Sequence, residues 1–105
     1  MSTPIELERL TLVFPPAVEG GLLDFLLDQS PPLPGFTVVA AEGHGADFRS
    51  ATLREQVRGR VARRMLLMVL PRERIEPLIA SLRLALPHPH VTWWVEPVRD
   101  FGRLA

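Results

Sequence analysis

The chain contains no cysteine. That excludes a disulfide framework, a thiolate nucleophile and cysteine-ligated zinc. All of its basic residues are arginine, so no lysine is there to form a Schiff base or to serve a phosphate-binding P-loop. Tyrosine is missing too. No apolar run reaches the roughly 18 residues that a membrane span needs, so no membrane insertion is expected. The opening stretch MSTPIELERL carries acids and no apolar core, which is unlike a secretory signal; a cytoplasmic location is the expectation. Acids and bases balance at 12 each, which argues against a general nucleic-acid binder.

What is present fits one globular domain over residues 1–105. Hydrophobic residues make up 47% of the chain and charged residues 23%, ordinary values for a folded domain. Residues 6–14 alternate and then turn wholly apolar, which predicts a strand ended by Pro15-Pro16. Val18, Leu22, Phe25 and Leu26 recur at helical spacing and predict a helix over 17–29, stopped by Ser30-Pro31-Pro32. Residues 35–41 are β-branched and aromatic, a second strand broken by Gly43-His44-Gly45. Residues 46–56 have no period and read as a long, mobile loop. Val57–Leu70 divides into an arginine-rich half and the apolar run 65–70, read as a strand buried on both faces. Ile75, Leu78, Ile79, Leu82 and Leu86 mark a helix over 72–86, with Pro77 either kinking it or lying in a first turn that starts late. Residues 91–95 are the fourth strand, and 96–103 a tail that folds back.

The order β-α-β-β-α-β predicts an α+β ferredoxin-like sandwich, with two helices on one face of a four-stranded antiparallel sheet. That arrangement leaves the other face open. Yet Met65–Leu70 is apolar at both parities, Leu12 and Val13 point to opposite faces, and so do Trp93 and Trp94. A bare face of that kind exceeds what soluble monomers usually expose, so self-association is expected; cover by the tail or by the 46–56 loop is the alternative.

The layout resembles PII signal-transduction proteins. Gly35-Phe36-Thr37-Val38 leading into Glu42-Gly43-His44-Gly45 is similar to their second strand and the G-x-G step that opens the T-loop. Gln56-Val57-Arg58-Gly59-Arg60, followed by an apolar strand and Pro71, resembles their third strand, and Glu96-Pro97-Val98 the end of their last one. The ordered set G-F, G-H-G, E-Q-V-x-G-R, W-V-x-P-V and F-G-R, over about residues 6–104, is similar to a small bacterial family of unknown function grouped with the PII-like and CutA-like trimers. The resemblance implies a homotrimer whose sheets face one another around the axis. It implies a regulatory role, with a small ligand in the inter-subunit cleft at the base of a T-loop over 46–56 and a protein target met through that loop. Gly43, His44 and Gly45 match the start of the T-loop, and Arg103, with Arg99, stands where relatives have a C-terminal basic segment. The B-loop position Leu86–His90 carries neither glycine nor arginine, a departure from the nucleotide-binding pattern.

Two clusters carry candidate chemistry. Arg54, Arg58, Arg60, Arg63 and Arg64 face one acid, Glu55, in an otherwise neutral chain; arginine forks suit phosphate and carboxylate, so a small anionic ligand is one reading and a solvated, paired strand the other. His88 and His90 point the same way if extended, and with His44 they offer three imidazoles for a divalent metal such as zinc, copper or nickel. A CutA-like metal-binding or tolerance protein is therefore the alternative function, and surface histidines in loops the bland one. The Trp93-Trp94 pair reads as core and interface packing before base stacking. No Gly-x-Ser-x-Gly is present and no serine has a recognisable base nearby, so no enzyme is expected, and no cofactor can be named.

Overall fold

The computed structural model describes residues 5–44 and 61–105. Strand β1 (Leu7–Phe14) leads through a single 3-10 turn, Pro16–Val18, into helix α1 (Glu19–Leu27). Strands β2 (Phe36–Gly43) and β3 (Val61–Pro71) follow, then helix α2 (Arg72–Ala85) and strand β4 (Thr92–Val98). The strands form one antiparallel sheet in the order β2-β3-β1-β4. This is the α+β, ferredoxin-like sandwich that the element order predicts. The 46–56 loop reading falls outside the described residues.

The parity of each strand sorts its side chains. Leu10 and Leu12 of β1 stand level with Met68 and Leu66 of β3, Phe14 continues the row opposite Arg64, and all five apolar side chains are essentially inaccessible. Leu22 and Leu26 of α1 and Ile75, Leu78 and Ile79 of α2 close over them as one core cluster. Phe36 and Val38 of β2 and Val95 of β4 pack at its margins. Burying such a side chain fully contributes roughly 1.5–3 kcal/mol, so this one face supplies most of the driving force for folding.

The element ends have local causes. Pro16 opens the 3-10 turn, where its missing N–H is no loss. The Gln29 side-chain amide donates to the Phe25 carbonyl at 3.2 Å and closes α1 two residues earlier than the hydrophobic spacing predicts. Arg74 donates to the carbonyls of Pro32 and Pro31 at 3.0 and 2.6 Å and ties the proline segment, with its cis Ser30–Pro31 bond, to α2. At the start of α2 the Arg72 backbone N–H donates to the Glu6 carbonyl at 2.9 Å, and its guanidinium meets the Glu6 carboxylate at 2.8 Å.

Other details depart from or narrow the sequence reading. Strand β3 begins at Val61 and not at residue 65, so Arg63 and Arg64 are strand residues. Strand β4 continues through Pro97 to Val98, which an edge strand allows because its outer N–H groups need no partner. Pro77 lies inside α2, which starts at Arg72, so the late-starting helix is excluded. Residues 99–105 are all exposed, with Phe101 at 64%, and the tail does not fold back over the sheet.

Candidate functional site

The face of the sheet away from the helices is apolar at its centre. Strand register sets it out in rows: Val39, Met65, Val13 and Thr92; then Thr37, Leu67, Thr11 and Trp94; then Val69, Arg9 and Glu96. Val39 and Trp94 are 42% and 41% exposed, and Val13, Met65, Leu67 and Val69 are only part-covered. Thr11 sits in the middle of this surface, fully buried by its strand neighbours, and its hydroxyl has no hydrogen-bond partner among the described residues. The rim is polar: Arg9 donates to Glu96 Oε1 at 2.7 Å, and the Trp94 indole N–H donates to the same oxygen at 2.9 Å. The Arg9 bond first, and the Trp94 bond next, hold the Glu96 carboxyl below its ordinary pKa.

The predicted ligand residues gather only in part. Gly43 is the last residue of β2, opposite Val61, and His44 follows it, exposed. Arg63 lies level with Ala41, 5% exposed, and donates to the Ala62 carbonyl at 2.9 Å. Arg64 points to the other face, where its Nε meets Glu19 Oε1 at the start of α1 at 3.4 Å. Adjacent strand residues must diverge in this way, so the two guanidinium groups do not converge within one chain. Gly45, Arg58 and Arg60 lie outside the described residues. Arg103 belongs to the exposed tail, which leaves β4 beside Leu7, at the opposite end of the sheet from Gly43.

His88 and His90 do meet. Their ring centroids are 5.7 Å apart, and the His90 backbone N–H donates to His88 Nδ1 at 3.1 Å. They precede the edge strand β4, whereas His44 follows the other edge strand, β2, with β1 and β3 between. One chain therefore does not bring the three imidazoles together. Among the described residues no group of three His, Cys, Asp or Glu side chains is placed to hold a metal. No helix among them is long and apolar enough to cross a membrane.

Sequence reasoning passed over Arg83. Its guanidinium lies 5.7 Å from the centroid of the Trp93 ring, on the helix side of β4. The signal was weak: a last-turn arginine on an amphipathic helix usually reads as a solvated charge near the helix dipole. Arg9 was likewise missed, because its pairing with Glu96 depends on a strand register that no local pattern specifies.

The sandwich is of the PII-like class, and solved structures bear the likeness out. CPII from Thiomonas intermedia K12, described as a nitrogen regulatory PII-like protein bound to ADP, AMP and bicarbonate, superposes with TM-score 0.65 at 21% identity, over 89% of this chain and 92% of its own. The Bacillus subtilis GlnK–ATP complex superposes with TM-score 0.66 at 13% identity, over 92% and 85%. The chain belongs to the DUF3240 family, proteins of unknown function, whose profile matches residues 5–105. A DUF3240 family protein from Shewanella baltica OS155 superposes with TM-score 0.75 at 20% identity over the whole of both chains. No curated protein sequence matches this one.

Proposed function

We infer that this protein is a PII-like regulatory protein that assembles as a homotrimer and binds a small anion between subunits, without catalysing a reaction. The observation that carries the reading is the open sheet face, apolar along Val13, Val39, Met65, Leu67, Val69 and Trp94. Covering that face with second and third copies removes it from water, and each 100 Å² of apolar area withdrawn is worth about 2.5 kcal/mol. The ligand falls to the end of the sheet where Gly43, His44 and Arg63 lie, at the base of the 46–56 segment, with Gly45, Arg58 and Arg60 as its further contacts. Arg103 joins from a neighbouring copy, because its own tail leaves from the far end. The ADP, AMP and bicarbonate of CPII and the ATP of GlnK make a nucleotide or bicarbonate the first class to try. The segment 46–56 then carries the signal to a protein target.

The His88–His90 ring contact favours a second reading, a CutA-like divalent-metal protein, with His44 of another copy completing the site. Light scattering at micromolar concentration tests the assembly: three chain masses are expected, and a monodisperse monomer overturns the trimer. Titration calorimetry with ATP, ADP, AMP, bicarbonate, copper, zinc and nickel tests the ligand. ATP is expected to bind only weakly, above roughly 100 μM, because few and exposed contacts hold it. Binding of an anion that Arg63→Ala abolishes supports the first reading. Metal binding that His88→Ala/His90→Ala abolishes, and that weakens in acid as imidazole protonates, supports the second. Silence throughout the panel removes both.

A further inference from the structure

A cavity of about 430 Å³ opens on the helix side of the sheet, between the start of α1, the end of α2 and the 86–91 connector. It is lined by residues of one chain, on the side of the sheet opposite the open apolar face. Its size falls in the range of small-molecule pockets, roughly 300–1,000 Å³. Leu12, Leu22 and Ile79 lie beneath it in the packed core, almost inaccessible to water, and the part-buried Val18, Leu82, Leu86 and Val91 supply the apolar surface that faces the opening. Two cationic or donor groups break the apolar lining, Arg83 and His88.

Both are set up to donate. Among the described residues Arg83 makes no ion pair, and its guanidinium lies over the Trp93 ring, itself a wall of the cavity. A guanidinium on an aromatic face keeps its N–H groups in the ring plane's neighbourhood free for a planar acceptor. His88 Nδ1 already accepts the His90 backbone N–H, which puts the proton of the neutral ring on Nε2, as a donor. An apolar chamber with donors of one kind at its border matches a molecule with an apolar body and one anionic end.

We propose that this cavity is a binding site for an amphipathic carboxylate, medium-chain or aromatic, whose apolar part lies against Val18, Leu82, Leu86 and Val91 and whose carboxylate is held by Arg83 with His88. Among the described arginines, Arg9, Arg64 and Arg72 each meet a glutamate, and Arg63 and Arg74 bond to backbone carbonyls. Arg83 is exposed and its ring contact is with the exposed Trp93, so replacing it is expected to leave the fold intact.

The test uses the full chain carrying Trp94→Phe, which leaves Trp93 as the sole tryptophan. Octanoate, octanol, octylamine and acetate are titrated while Trp93 emission is followed, with calorimetry alongside. Octanoate is expected to shift the emission and bind; acetate, with no apolar part, and octylamine, with the wrong charge, are not. Arg83→Gln is expected to weaken octanoate about tenfold, the loss of one charge-assisted pair, and to leave octanol unchanged. Leu82→Phe, which fills the chamber, is expected to abolish binding of both. Equal affinity for octanol and octanoate, or octanoate binding indifferent to Arg83→Gln, overturns the proposal. So does absence of octanoate binding at millimolar concentration, and so does binding that appears only after residues 99–105 are deleted, since a second copy's tail would then be the occupant.

Discussion

Thr11 is the residue where the sheet is least at ease. Its hydroxyl is buried at the centre of the open face without a partner, and an unsatisfied buried hydroxyl costs roughly 1–3 kcal/mol. Thr11→Val keeps the shape and removes the polar atom. Urea unfolding of that variant is expected to show a gain of about 1 kcal/mol; a loss of similar size would mean that the hydroxyl finds an acceptor on another copy. Glu96 makes the opposite case, a polar group doubly satisfied. Its carboxyl is held below the ordinary range by Arg9 and then Trp94. A folded-state value below the unfolded one contributes stability that is complete above the unfolded value and is lost as pH falls through the folded one. Melting temperatures followed from neutral pH to below about 4 should therefore decline less steeply in Glu96→Gln than in wild type.

Among the elements, α2 carries the clearest internal conflict. Pro77 lies within the helix, is exposed, and removes an intrahelical donor at a cost near 3 kcal/mol relative to alanine. Alanine there gives back unfolded-chain entropy of up to about 1 kcal/mol. Pro77→Ala is thus expected to raise stability by about 2 kcal/mol in the same urea titration. The elements themselves were legible because their signals are local: alternation in 6–14, the Leu22–Leu26 spacing, the Pro71 stop. Strand ends were not. Arg63 and Arg64 look like loop residues by composition, yet they extend β3 because β2 runs beside them, Ala40 opposite Arg64 and Ala41 opposite Arg63. Pro97 looks like a terminator, yet β4 has a free edge that tolerates it.

For the whole molecule, the two-sided apolar strands announced a second surface before any coordinates did, and Met65, Leu67 and Val69 stand on it. Leu67→Arg puts a charge in its central row while the helix-side core stays as it was. The variant is expected to keep its far-ultraviolet circular dichroism and to scatter light as a single chain, because burying an unpaired charge at an interface costs several kcal/mol. The candidate site was less legible than the fold. Which arginines converge depends on strand parity, and Arg63 and Arg64 turn away from each other for a reason that spacing alone hides. Arg83 and Trp93 are ten residues apart in sequence and touch only once α2 and β4 lie side by side.

The position of β1 also bears on how the chain is made. It precedes the other three strands of its sheet in the chain, yet its two neighbours are β3 and β4, and Leu7 is matched with Pro71 and Val98. Until those distant segments emerge, Leu10, Leu12 and Phe14 have no sheet to join. Closing such long loops precedes any reward in contacts, so refolding should be slower than for a helical domain of equal length. The waiting strand has both edges unpaired, the condition under which nascent chains stick to one another. Glu6, Glu8 and Arg9 charge its leading end, the kind of pattern that opposes such sticking, and in the folded chain two of them meet Arg72 and Glu96.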